Sequence, residues 1–280
     1  MTRPFILSAS IGEAAFAQAH IAAPILRAAE AAGLDLMVMG RAGERPFDAQ
    51  VLLAWAAPLT SRLGLVATVP ASNAHPFHVA RALSAVDFLS AGRTGWSVIP
   101  EGAPGGMAED MVGAARALWD GWGSDTLILD KASGRYLDAS KVRASNYEGP
   151  FFKVAGPVNA MRPPLGHPLL VVDGDAPIAV DDADIALFAD GAPVPPATKR
   201  LLKIAPGADV AAIAARFEAG EIDGVHFTLT DALAQLPGIA ARFAGLGSEQ
   251  PAGDLRARLG LPIPATASNQ PGGAVVPEFA

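Results

Sequence analysis

The 280-residue chain contains no cysteine. That excludes disulfide staples, thiolate metal ligands and a cysteine nucleophile, and it permits a reducing compartment. A run of basic residues is also missing. Lys and Arg number 21 against 28 Asp and Glu, and the resulting net charge of −7 repels phosphate backbones and anionic lipid. Nucleic acid and membrane surfaces are therefore poor partners. No stretch supplies the ~20 successive apolar residues that a membrane span needs. The apolar stretch from Arg3 to Ile11 has some features of a secretory leader. Glu13 interrupts it, and the next apolar residues recur at helical spacing, so a cytoplasmic chain is expected. Phosphate-cradling loops of the Gly-x-Gly-x-x-Gly or Walker type are absent, since Gly102 to Gly106 has no lysine. No Gly-x-Ser-x-Gly nucleophile elbow is present either.

What is there suits a large core. Hydrophobic residues make up 51% of the chain and charged residues only 18%, which excludes disorder over most of its length. Eight short apolar runs read as strands: Phe5–Ala9, Leu34–Met39, Leu63–Val69, Thr94–Ile99, Leu169–Val172, Ile185–Phe188, Leu201–Ile204 and Val225–Leu229. Helical spacing fills most of the gaps, over Glu13 to Ala32, Pro76 to Ser90, Ala108 to Trp122 and Val210 to Ala219. Pro76 stands at a first helical position, and Gly33 and Gly92 stand where helices end. This alternation predicts parallel strands joined by crossovers. Eight units point to a closed (β/α)₈ TIM barrel over residues 1–262, with a doubly wound open sheet as the alternative. Two stretches break the rhythm. Residues 125–168 read as a long excursion over one end of the barrel, before strand five. The Pro-rich connection from Asp190 to Lys199 is too short for a full helix, so one outer helix is shortened or missing there. Residues 263–280, rich in Ala, Pro, Gly and Ser, are expected to form an extended or disordered tail.

One segment is specific enough to suggest a family. His75-Pro76-Phe77-His78-Val79-Ala80-Arg81, followed by Asp87-Phe88-Leu89-Ser90-Ala91-Gly92-Arg93-Thr94-Gly95-Trp96, resembles the third helix and fourth strand of bacterial luciferase-like flavin monooxygenases. The likeness is to the branch that oxidises nitrilotriacetate and dibenzothiophene sulfone. Gly149 to Val154, Gly156 to Asn159 and Pro163 to Pro168 resemble that branch's loop into strand five. Asp254 to Pro262 resembles its closing helix. The same residues also have purely structural readings. Arg81, Asp87 and Arg93 can form a charge cluster between helix and strand, and His75 can cap the helix that Pro76 opens.

The resemblance implies a barrel that takes FMN, reduced by a separate reductase, over the carboxyl ends of its strands. The phosphate would be held there by backbone amides and hydroxyls. Carried over position by position, the contacts are Thr68 with Ser72 nearby after strand three, Ser97 where the family has Asn, and Gly174, Asp175 and Ala176 after strand five. The departures are as informative. Gly40-Arg41 replaces the acidic residue after strand two. The Asn-Phe-Gly and Arg-Tyr segment beyond strand four is deleted. Val172-Asp173-Gly174-Asp175-Ala176 stands where the family writes Gln-Ala-Gly and small hydroxyl residues. Two unit charges ~4 Å apart repel by about 4 kcal/mol at an effective dielectric near 20. Unless a cation bridges these aspartates, a flavin phosphate does not bind there. Asp175 could instead simply N-cap a following helix.

Among histidines, His75 is the best-placed acid–base candidate. His226 lies inside a strand and reads as a barrel-core residue, while His20 and His78 sit on helices. Asp173, Asp175, Asp181, Asp182 and Asp184 have the chemistry of a hard-cation site but match no loop motif, so a solvated acidic turn and no metal are expected. Two functions follow. The first is an oxidoreductase, a monooxygenase using reduced FMN and O₂ on a small organic substrate, expected as a homodimer. The second is a non-catalytic barrel paralog that has lost the flavin and serves as a partner subunit or binds another ligand.

Overall fold

In the computed structural model, described for residues 3–16, 19–40, 48–124, 126–246, 251 and 253–264, the eight apolar runs form eight strands. These are β1 (Ile6–Ile11), β2 (Leu36–Met39), β3 (Gly64–Pro70), β4 (Thr94–Ile99), β5 (Leu169–Asp173), β6 (Ala183–Phe188), β7 (Ala197–Ile204) and β8 (Gly224–Leu229). They close a parallel barrel in the order β1-β8-β7-β6-β5-β4-β3-β2, so the closed-barrel alternative holds and the open sheet does not. Closure brings Ile6 opposite Gly224. A Cβ at Gly224 would lie 2.0 Å from the Ile6 carbonyl oxygen, which is why only glycine starts β8. The helices are α1 (Ala19–Ala31), α2 (Ala49–Ala56), α3 (Pro76–Leu89), α4 (Met107–Asp120), α5 (Val210–Glu218), α6 (Ala232–Phe243) and α7 (Leu255–Leu259).

Side chains alternate across each strand, so every second residue points into the barrel. Along one strand that inward set changes character. Near the amino ends Ile6, Leu36, Val66, Leu169, Ile185 and Leu201 form an apolar plug, onto which α7 packs Leu255 and Leu259. Toward the carboxyl ends the inward residues turn polar, and the site lies there. The amino end is tied by carboxylates. Asp35, Asp184 and Asp223 stand opposite Leu7, Leu170 and Arg200 of the preceding strands and accept their backbone N–H groups at 2.8–2.9 Å. Asp184 also takes a bidentate ion pair from Arg256 of α7, at 2.7 and 3.0 Å.

Several expectations need correction. Two outer helices are missing, not one: neither the β5–β6 nor the β6–β7 connection is helical. Asp175 therefore caps no helix. The excursion before β5 packs against α4. It forms two short hairpins, Leu127–Asp130 with Arg135–Leu137 and Tyr147–Glu148 with Lys153–Val154. Asp110 of α4 fastens the second, accepting from the Tyr147 hydroxyl at 2.6 Å and from the Phe151 and Phe152 amides at 2.8 Å. The loop thus runs along the flank of α4.

Asp87 and Arg93 are both buried but are not hydrogen-bonded to each other. Asp87 accepts from the Thr94 and Leu165 amides. Arg93 donates to Ser90, Thr60, Leu63 and Ala57, using all five of its N–H groups on carbonyl and hydroxyl oxygens. Arg41 and residues 265–280 of the expected tail lie outside the described residues.

Candidate functional site

The polar carboxyl end of the barrel encloses a cavity of about 260 Å³. Strand register sets its walls. Thr68 of β3 stands beside Ser97 of β4, which puts two hydroxyls at one level. Lys203 of β7, His226 of β8 and Ser8 of β1 fall side by side on the opposite wall. Val38, Val98, Ile99 and Leu187 supply the apolar surface between them. The Thr68 hydroxyl donates to the Gly40 carbonyl at 3.0 Å, so its lone pairs are what it offers to a ligand. His226 is 2% exposed and its Nδ1 lies 2.9 Å from the Ser8 hydroxyl. It is a bonded barrel histidine, as its place in a strand suggested, and it also lines the cavity.

The β5 corner is the most distinctive part. The Lys203 ammonium bridges Asp173 and Asp175, forming a tight ion pair with each. Lys203 is the cation that two such neighbouring carboxylates require. With two carboxylates on one ammonium the corner carries a net charge of −1. Its backbone is also committed. The Gly174 amide donates to the Leu187 carbonyl at 2.7 Å, the Asp175 amide to the Asp173 carboxylate at 2.9 Å, and the Ala176 amide to the Asp173 carbonyl at 3.0 Å.

Of the residues singled out in the sequence, Thr68, Ser97, Asp175 and Ala176 line this cavity, together with Gly40 and Asp173. Ser72, Gly174 and His75 are not among its lining residues. Ser72 donates to the Glu101 carbonyl at 3.4 Å, and His75 is exposed and caps α3, its Nδ1 accepting from the Phe77 amide at 3.3 Å. Lys203 went unnoticed in the sequence. Its signal was the period of two: if Leu201 points inward, so does Lys203. The other aspartates disperse. Asp182 pairs with Arg116 at 2.6 Å and Asp184 with Arg256, and among the described residues no three metal-ligating side chains converge.

Residues 7–216 match the family described as luciferase-like monooxygenase, three quarters of the chain. The chain belongs to that family. It is 35% identical over 252 residues to one of the subunits of the pristinamycin IIA synthase of Streptomyces pristinaespiralis, covering 85% of this chain and 88% of that one. It is also 31% identical over 156 residues to the dibenzothiophene-sulfone monooxygenase of Rhodococcus erythropolis, which covers 50% of this chain but only 34% of that enzyme. A solved structure of a long-chain alkane monooxygenase superposes with a TM-score of 0.75 over 96% of this chain and 97% of that one, at 15% identity, showing the shared fold. The family favours the oxidoreductase reading over a barrel without catalysis.

A luciferase-like barrel implies a flavin, and this mouth fits its two ends unequally. The hydroxyls of Thr68 and Ser97 on an apolar wall suit the edge of a planar heteroaromatic ring. The β5 corner does not suit the phosphate. Its three amides are occupied and its charge is negative, whereas a phosphate cradle needs free amides and positive charge.

Proposed function

We propose that the chain is a component of a flavin-dependent monooxygenase, an oxidoreductase using reduced FMN from a separate reductase and O₂ on a small organic substrate. The carrying observation is a cavity at the carboxyl mouth of a luciferase-like barrel, where enzymes on this fold place their chemistry. Thr68 and Ser97 would meet the flavin ring, and the barrel would exclude water from it. His226, buried in the cavity wall, is better placed than His75 to hold or move a proton. Residues 1–262 would act as one domain in the cytoplasm. Among the described residues, no helix is long and apolar enough to cross a membrane.

A homodimer belongs to the same reading. A groove of about 430 Å³ runs between α2 and α3, rimmed by Val51 and Leu89, which are 67% and 65% exposed. Apolar surface of that kind favours a partner chain. The test of the function is an anaerobic titration with reduced FMN, read by flavin fluorescence and calorimetry. Saturable one-to-one binding at micromolar levels is expected. Absence of binding up to millimolar reduced flavin would overturn it.

A further inference from the structure

We infer that this barrel mouth recognises its ligand by an uncharged ring and grips no phosphate at the β5 corner. The inference rests on the flavin reading above and deepens it, because it assigns which part of the flavin the chain itself selects.

Three independent features converge. Lys203, 16% exposed at its side chain, already holds Asp173 and Asp175, so the cation nearest the corner is spent on the protein's own carboxylates. An arriving phosphate would meet a net negative charge where a phosphate site presents a positive one. The amides of Gly174, Asp175 and Ala176 all donate to protein oxygens, and freeing them would break three hydrogen bonds. The cavity, at about 260 Å³, is slightly smaller than the roughly 300–1,000 Å³ usual for small-molecule pockets. It is open at its mouth, so a ring can enter while the rest of a flavin stays outside. The hydroxyls of Thr68 and Ser97 lie at the β3–β4 side of the mouth, next to Val98 and Ile99. A ring edge fits that side, and the ribityl phosphate is left outside the corner.

Riboflavin and FMN share the ring and differ only in the phosphate, so their affinity ratio reads the corner directly. Two charge-assisted hydrogen bonds to a phosphate would make FMN bind on the order of a hundredfold more tightly than riboflavin. Here, the full-length chain titrated anaerobically with each reduced flavin should bind both within about threefold, or riboflavin more tightly. Asp175→Ser removes one carboxylate and leaves Lys203 partly free. It should raise FMN affinity by about tenfold and leave riboflavin affinity unchanged. Asp175 is 70% exposed at its side chain, so this variant should keep the parent's melting temperature, and that is measured alongside. FMN binding tenfold or more tightly than riboflavin in the unaltered chain would overturn the inference while leaving the monooxygenase reading intact. So would an FMN-to-riboflavin ratio that Asp175→Ser does not move. If neither flavin binds, both readings fall together.

Discussion

Arg256 ties three segments together at the barrel's amino end. Its guanidinium is 3% exposed and faces Asp184, 11% exposed, across two contacts of 2.7 and 3.0 Å. It also donates to the Pro262 and His167 carbonyls at 3.0 and 2.9 Å, so α7, the chain after it and the segment entering β5 share one cation. Arg256→Met removes all four bonds. It leaves the buried Asp184 carboxylate with its hydrogen bond from the Leu170 amide and without its cation. Removing one partner of a buried pair costs about 3–5 kcal/mol, because the charge left behind stays desolvated. For a chain of this size that corresponds to a fall in melting temperature of roughly 5–9 °C. Asp184→Asn in the same background removes the orphaned charge yet keeps an acceptor for the Leu170 amide. The double variant should therefore recover about 1–3 kcal/mol relative to the sum of the single changes. Guanidinium unfolding followed through the buried Trp96 and Trp119 measures all four corners of the cycle. A loss under about 1 kcal/mol for Arg256→Met, or additive single costs, would refute the reasoning. Flavin affinity should not change, because stability and chemistry occupy opposite ends of a barrel.

Two more outcomes are expected. Burial pushes Asp87 up to about 6, against the Leu165 and Thr94 hydrogen bonds that pull it down. A folded value above the unfolded 3.8 means that the native state binds the proton more tightly. The Asp87 contribution to stability is thus most favourable below pH 4, declines as pH rises from about 4 to 6, and is level above that. The stability of the parent relative to Asp87→Asn should fall by up to about 3 kcal/mol across that window, and a flat difference would exclude the effect. If the α2–α3 groove pairs two copies, light scattering should give twice the 28.6 kDa chain mass, and a single-chain mass would refute the homodimer.

Much of this was readable residue by residue. Each strand shows itself as a short apolar run, most with Gly, Pro or Asp close behind, and Pro76 and Gly92 mark both ends of α3. What escaped notice has physical reasons. Helix α2 is apolar on nearly every side, so no periodic polar face marks it in the sequence. The hairpin strands in the excursion are two to four residues long and too short to show a period of two. The absence of a helix after β5 was hidden because Asp175 resembles a helix cap, while its side chain is engaged by Lys203.

The sequence alone determined the alternating parallel strands and helices, because burial and alternation are local properties that a strand or helix carries within itself. Closure into a barrel instead of an open sheet rests on the pairing of the first strand with the last, 218 residues away. The sequence also determined the family, through a contiguous segment from His75 to Trp96. The electrostatics of the site were decided only by the tertiary structure. Lys203 reaches Asp173 and Asp175 across 30 and 28 residues of chain, and Arg256 reaches Asp184 across 72. Such pairs depend on barrel register and closure, and a charge in a sequence does not reveal which charge it will face.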